Sequence, residues 1–378
     1  MTPPTKRWLL IGLAALLITA VYMVRVRDGM ADFAVNYQAG KRLAAGETLY
    51  QAEDGHYMFK YLPFSALLYL PLAVLPLEAA KALWFGISVV AMLAMFRLAR
   101  QLVSRQGVRS LSIVPALILA KYFLHELRLG QINILVTLLM MLAARELTRP
   151  GVRQGVVGGA LAGLATALKP YAALLVPYFI IKRQWTSVAG SLGVLMAALA
   201  VPSLFYGVEG NVDELRRWAS TLSESTPDLL TNNDNVSVVA FFTKWMGDPA
   251  LALPLAGLVL GVLALVMLAV ILKGGERQDS PVLEVAMVLT LIPLVSPLGW
   301  DYTFLMSLLA TTLLVNHFYS FPTVARVLLA MNFAIIALAV YDVLGRQAYA
   351  SFMQWSVTTI NFLVIVGGLA YLRFRRVC

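Results

Sequence analysis

The sequence predicts an all-α, polytopic transmembrane bundle of about twelve spans, with interfacial helices in its first external loop. Three observations predict it. Of 378 residues, 60% are hydrophobic and 13% charged, with a mean hydropathy of +0.77, which is more apolar surface than a soluble core can cover. The 30 Lys and Arg residues cluster in short runs beside hydrophobic stretches, as cytoplasmic loops do, so the formal charge of +10 reflects topology rather than a nucleic-acid footprint. Finally, Asp32, Gln131, Asn133, Lys169, Asn235, Ser237, Trp300 and Asp301 lie far apart in the chain, yet a charge-based topology collects them at one membrane face.

The elements follow in order. Lys6 and Arg7 precede an apolar run from Trp8 to Val24; with no small-x-small cleavage pattern after it, the run reads as a retained first helix with its N-terminus inside. Residues 25–77 then form the first extracytoplasmic loop. Asp32–Leu43, ended by Gly46, reads as an interfacial amphipathic helix. The stretch Tyr61–Pro76 holds Pro63, Pro71 and Pro76 and is short for a crossing, so an interfacial or re-entrant helix fits it. A second span from Ala80 returns the chain to Arg97, Arg100, Arg105 and Arg109. Further spans are expected near Ser110–Leu124, Ile132–Leu147, Val156–Leu168, Tyr171–Ile181, Val188–Phe205, Leu251–Leu272, Val282–Pro297, Thr303–Val315, Val324–Asp342 and Val357–Leu372. They leave Arg145, Arg149, Arg153, Lys182, Arg183, Lys273, Arg277, Arg373, Arg375 and Arg376 inside, with both termini cytoplasmic. Residues 207–247 make a second large external loop, and residues 1–378 read as one integral membrane domain without repeats. Lys169-Pro170 interrupts an apolar run, so broken helices lining a cavity are expected there. The lone cysteine, Cys378, excludes an intramolecular disulfide and a Cys-based metal site.

Each polar position has a plain reading and a functional one. Asp32 at a helix start could cap free N–H groups, or act as a general base at the membrane surface. Gln131 and Asn133, after His125 and Arg128, could stitch helices or meet sugar hydroxyls, which need both donors and acceptors. Lys169 could snorkel to the headgroups, but an ionisable group within an apolar run is a functional hypothesis by default, at roughly 2.5–3.5 kcal/mol for insertion. Its compact charge suits a lipid phosphate. Asn235 and Ser237 could form a polar turn. Trp300, Asp301 and Tyr302 could anchor an aromatic belt or stack on and hydrogen-bond a sugar. No Gly-rich phosphate loop, HExxH, Cys/His cluster or Asp-x-Asp pair is present, so neither an ATP-driven transporter nor a zinc enzyme is supported.

Taken in order, Tyr37-x-Ala39-Gly40, Gly46-x-x-x-Tyr50, Tyr61-Leu62-Pro63-Phe64, Gly130-Gln131-x-Asn133, Ala167-Leu168-Lys169-Pro170, Asn235-x-Ser237 and Ser296-Pro297-x-x-Trp300-Asp301 resemble glycosyltransferase family 87. These are polyprenyl-phosphate-sugar-dependent mannosyltransferases of the GT-C class. The resemblance implies a GT-C-like integral membrane enzyme, in a bacterial inner membrane, whose site faces the extracytoplasmic side. It would move a hexose from a polyprenyl phosphate to a glycolipid or glycan acceptor with inversion, using no nucleotide sugar, metal or other cofactor and no nucleic acid. The family's catalytic carboxylate matches Asp32. One position departs from the pattern: where the family often has a His after the Trp-Asp pair, this chain has Tyr302. Binding of the donor phosphate then falls to Lys169, Arg128 or His125, or to Tyr302 as a neutral donor. The rival expectation is a transporter or flippase for a lipid-linked sugar, which would use the same cavity without breaking a bond.

Overall fold

A computed structural model describes residues 12–13, 16–103, 111, 113–274 and 280–377. Lys6, Arg7, the start of the first apolar run, Arg105, Arg109, Arg277 and Cys378 lie outside the described residues. Among the described residues the chain is helical, with a single isolated β-bridge between Asn235 and Trp300.

Helix α1, Leu16–Val26, leads into α2, Ala31–Ala45, whose C-cap is Gly46 in the left-handed conformation. Met30, also left-handed, caps the start of α2, so Asp32 sits in the first turn rather than at the cap. The expected re-entrant segment is α3, Pro63–Ala73, a chain of short α and 3-10 turns broken at its prolines. Helix α4, Leu77–Leu102, is followed by α5, Ile113–Ile118, and α6, Ala120–Leu129. Gly130 ends α6 with φ +68°, and a Cβ on it would stand 2.6 Å from Phe33 Cβ. Glycine is therefore required twice at this position, by its conformation and by the close approach of α2.

Helix α7, Asn133–Leu147, packs on α8, Val152–Leu168. Helix α8 stops because the residue before a proline is driven into extended backbone: Lys169 has φ −143° and ψ 112°. The chain resumes as α9, Pro170–Ile181, and α10, Trp185–Ala200. Helices α8 and α10 are in near backbone contact. A Cβ on Gly159 would fall 2.0 Å from the Ser187 carbonyl, and one on Gly163 2.6 Å from that of Ser191, the small-residue packing common in membrane bundles. Helix α11, Ser203–Leu229, turns 91° away from α10. The second large loop expected at 207–247 is thus mostly helical: α11 fills its first part, and α12, Val238–Met246, its end.

The apolar α13, Pro249–Lys273, follows. Helices α14, Ser280–Val295, and α15, Leu308–Asn316, are buried along nearly their whole lengths and form the centre of the bundle. A 3-10 segment, Asp301–Ser307, joins the loop after α14 to α15. Helices α16, Thr323–Leu338, α17, Arg346–Gln354, and α18, Val357–Phe374, complete the fold. Among the described residues, three helices are long and apolar enough to cross a membrane unaided: α4, Ala250–Lys273 of α13, and α18. Helices α8, α9, α14 and α16 are apolar but shorter.

Candidate active site

Two cavities meet at one end of the bundle. The first, of about 240 Å³, is lined by Asp32 and Asn36 of α2 together with His125, Gln131, Asn232 and Asp234. The second, of about 610 Å³, is lined by Lys169, Pro170, Tyr171 and Leu174 on one side and by Ile292, Pro293, Leu298 and Thr303 on the other. Lys60, Tyr61, Trp300 and Tyr302 line both cavities and form the wall between them. One cavity is small and rich in polar groups; its neighbour is large and mainly apolar.

The local fold explains how Asp32 reaches its neighbours. The Met30 N–H donates to the Arg128 carbonyl at 2.7 Å, Trp84 Nε1 donates to the Gly130 carbonyl at 2.8 Å, and Gly130 leaves no side chain between the segments. The start of α2 is therefore pressed onto the α6–α7 junction. Gln131 Nε2 donates to Asp32 Oδ2 at 2.9 Å. The other end of the same amide, Oε1, accepts from Lys169 Nζ at 3.2 Å and from the Tyr61 hydroxyl at 3.2 Å. Lys169 Nζ also donates to Asn133 Oδ1 at 2.7 Å, which accepts in addition from the Tyr171 hydroxyl. Asn133 Nδ2 donates in turn to Glu126 Oε2 at 2.7 Å. A hydrogen-bonded relay thus runs from the carboxylate of the polar cavity to the ammonium of the apolar one and ends on a fully buried carboxylate.

The charges in this relay perturb one another. Burial holds the Lys169 ammonium below its ordinary value, and the negative charges of Glu126 and Asp32 only partly offset it. Its Nζ lies over the rings of Tyr61 and Tyr171 at 5.2 and 5.4 Å, which favours the cation electrostatically. Lys60 is likewise lowered by burial and raised by Asp32. His125 Nδ1 lies 3.3 Å from Asp301 Oδ1. Burial opposes protonation of this histidine, but its hydrogen bond to Asp301 and that carboxylate's charge outweigh it, so its pKa stands above the ordinary value.

The candidate residues divide by placement. Asp32, Gln131, His125, Trp300 and Tyr302 line the first cavity, and Lys169, Trp300 and Tyr302 the second. Asn133 is buried behind Lys169 and orients it. Asp301 is buried between His125 and the Tyr302 N–H, from which it accepts at 2.6 Å. Asn235 and Ser237 line neither cavity. Asn235 donates to the Pro297 carbonyl at 2.9 Å and accepts from the Gly299 N–H at 3.1 Å, while Ser237 caps α12 by accepting from the Ala240 N–H at 3.0 Å. These two residues brace the loop that carries Trp300. Arg128 is exposed and lines neither cavity; its backbone rather than its guanidinium shapes the site. Sequence reasoning missed Glu126, Lys60 and Tyr171. Lys60 sits beside the Tyr61-Leu62-Pro63 motif, and that adjacency is the signal that could have found it. Asn36 was also passed over: it lines the first cavity, is 1% exposed, and its Oδ1 has no hydrogen-bond partner among the described residues.

Three comparisons bear on this geometry. The profile of glycosyltransferase family 87 matches residues 59–297. The polyprenol-phosphate-mannose-dependent alpha-(1-2)-phosphatidylinositol pentamannoside mannosyltransferase of Mycolicibacterium smegmatis is 28% identical over 264 residues, which is 67% of this chain and 60% of that relative's length. Among solved structures, ArnT from Cupriavidus metallidurans bound to undecaprenyl phosphate superposes with a TM-score of 0.47 at 13% identity, over 99% of this chain and 76% of that one. Its apo form gives 0.39 at 15% identity, over 98% and 78%.

Proposed function

The chain belongs to glycosyltransferase family 87, and from that membership we propose that it transfers a hexose, mannose in the first instance, from a polyprenyl phosphate to a hydroxyl of a glycolipid or glycan acceptor. The donor class follows the relative's name. In this reading the helices cross a bacterial inner membrane about twelve times, with both termini cytoplasmic and the paired cavities on the extracytoplasmic side. The basic residues Arg145, Arg149, Lys182, Arg183 and Lys273 lie at the helix ends away from the cavities, in keeping with that orientation.

The observation that carries the proposal is the meeting of two unlike cavities at a shared wall. A prenyl chain needs an apolar slot, and the slot that ends at Lys169 supplies one. An acceptor sugar needs hydrogen-bonding groups and a base, and the cavity that holds Asp32 supplies both. The transfer then balances as follows. Asp32 accepts the proton of the acceptor hydroxyl, the hydroxyl oxygen bonds to the anomeric carbon from the face opposite the phosphate, and the carbon–phosphate-oxygen bond breaks with its electron pair leaving on polyprenyl phosphate. Charge grows on that departing oxygen, where Lys169, Lys60 and the Tyr302 hydroxyl stabilise it; positioned groups of this kind are the largest single contribution in many enzymes. A positioned base contributes typically about 10²–10⁴-fold.

The test is transfer by purified protein from radiolabelled polyprenyl-phosphate mannose to a native lipid extract, with wild type and Asp32→Asn side by side. Product from wild type and a loss of about 10²-fold or more in the variant, at unchanged thermal midpoint, is the expected result. Equal product from both would remove Asp32 from the base role. Donor binding without product in either would favour translocation of a lipid-linked sugar.

A further inference from the structure

We infer that Lys244, which lines neither cavity, is a positioning residue for the acceptor: its ammonium fixes the segment Asn232–Asn235 so that Asn232 and Asp234 stand in the wall of the polar cavity; this rests on the transferase reading above. On one side the segment pairs with the Trp300 loop. The Val236 N–H donates to the Gly299 carbonyl at 2.7 Å, the Asp301 N–H donates to the Asp234 carbonyl at 3.0 Å, and Asn235 forms a β-bridge with Trp300. Successive carbonyls of a bridged segment point to opposite sides, so those of Asn233 and Asn235 face away from the Trp300 loop. Both end on Lys244, whose Nζ donates to them at 2.9 and 2.7 Å. The segment that supplies Asn232 and Asp234 to the cavity is thus held between the Trp300 loop and one ammonium.

Lys244 reaches this segment because of where it sits. It lies in the last turn of α12, and helical side chains lean toward the N-terminus of their helix, so its long side chain runs back to the residues that precede α12. The same ammonium donates to the Ser356 hydroxyl at 3.2 Å and to the Met353 carbonyl at 3.4 Å, at the junction of α17 and α18. Met353 is in the last turn of α17, where carbonyls lack helical partners, and Ser356 has φ +49°, a conformation uncommon for a non-glycine residue. An ammonium carries three N–H donors, and four oxygen atoms share them, so none is left for a substrate. This separates Lys244 from Lys60 and Lys169, which line the cavities. Burial holds the Lys244 ammonium below its ordinary pKa against the opposing charge of Asp234. Without it, the Asn233 and Asn235 carbonyls lose their donor, and Asn235 is 0% exposed, which leaves a buried acceptor unpaired. The segment would then shift and carry Asn232 and Asp234 with it, whereas the donor cavity, lined by neither, would keep its wall.

The experiment measures steady-state transfer by the purified full chain from polyprenyl-phosphate mannose to octyl α-mannoside, each varied in turn. Lys244→Ala should raise the KM for the mannoside about tenfold, the loss of one or two hydrogen bonds, while kcat and the donor KM stay at their wild-type values; Lys244→Arg should retain part of the affinity. Ethylammonium, which fits the space left in Lys244→Ala and donates to the same oxygens, should restore the mannoside KM, and tetramethylammonium, which has no N–H, should not. An unchanged mannoside KM in Lys244→Ala, equal rises in both KM values, or equal effects of the two amines would overturn the positioning role while leaving the transferase standing. If Lys244→Ala does not fold, Lys244→Gln, which keeps two N–H donors without the charge, carries the same comparison of the two KM values. If wild type transfers no mannose, calorimetric titration with octyl α-mannoside decides: weaker binding in Lys244→Ala keeps the positioning role and sinks the transferase reading, and equal or undetectable binding sinks both.

Discussion

The bundle contains two buried ionic networks built from the same residue types, and they are organised in opposite ways. At the end away from the cavities, Glu284 accepts from Arg373 Nη2 at 2.9 Å, from the Tyr178 hydroxyl at 2.9 Å and from Lys182 at 3.2 Å, tying α9, α14 and α18 together. The carboxylate and the guanidinium are both 0% exposed. At the other end, about 16 Å along α14 from Glu284 at 1.5 Å per residue, Asp32 and Lys169 are joined through Gln131 and each lines a cavity. The first network spends its hydrogen bonds on itself and acts as a latch. The second holds two opposite charges close together at the walls of two cavities.

Three substitutions can break or sharpen this contrast. The largest effect is expected from Arg373→Met, which leaves Glu284 buried without its main partner; removing one member of a buried pair costs roughly 3–5 kcal/mol. It should appear as a drop in thermal midpoint, while the transfer rate per folded molecule stays at the wild-type value. A lowered rate with unchanged stability would place this network in catalysis. Next comes Lys169→Met, with the reverse pattern. Losing a positioned charge at a departing phosphate costs about 10²–10³-fold in kcat, with little change in midpoint because Gln131 and Asn133 keep Asp32 and Glu126 as partners. Wild-type turnover in this variant would remove Lys169 from the donor site. The smallest effect is expected from Glu126→Gln, which can still accept from Asn133 but has lost its charge. Glu126 raises the pKa of Lys169 against the lowering by burial. Without it Lys169 sheds its proton at lower pH, and the alkaline limb of the pH–rate profile should move to lower pH. An unmoved limb would confine Glu126 to holding the start of α7.

These contrasts mark what the sequence could and could not disclose. The break at Lys169-Pro170 was legible because two local rules coincide there: an ionisable group in an apolar run and the extended backbone that proline imposes on its predecessor. The helix that carries Asp32 and its end at Gly46 were legible for similar reasons, amphipathic spacing and a left-handed C-cap. The role of Glu126 was not, since a lone acid beside His125 in a short amphipathic helix says nothing of Asn133 seven residues on or of Lys169 at the end of another helix. Nor could the sequence separate Asn235 and Ser237, which brace a loop, from Gln131, which lines a cavity; all are small polar residues at helix junctions, and only tertiary packing decides which of them meets empty space. Helix lengths were also obscured. Several apolar runs break into short helices at Pro, Gly or Lys, so hydropathy marks where apolar segments lie better than how long each helix runs.

The position of Gln131 has a consequence for how a base and a cation can share one pocket. Side by side, a carboxylate and an ammonium pair directly: the base becomes too weak to take a proton and the cation loses its pull on an arriving anion. A primary amide set between them gives each what it requires while keeping them apart, its N–H₂ to the carboxylate and its carbonyl oxygen to the ammonium. Because the two ends of an amide differ, the spacer works in only one orientation, and the two flanking charges set that orientation. Gln131 therefore stands between the two reacting groups and keeps them from pairing directly with one another.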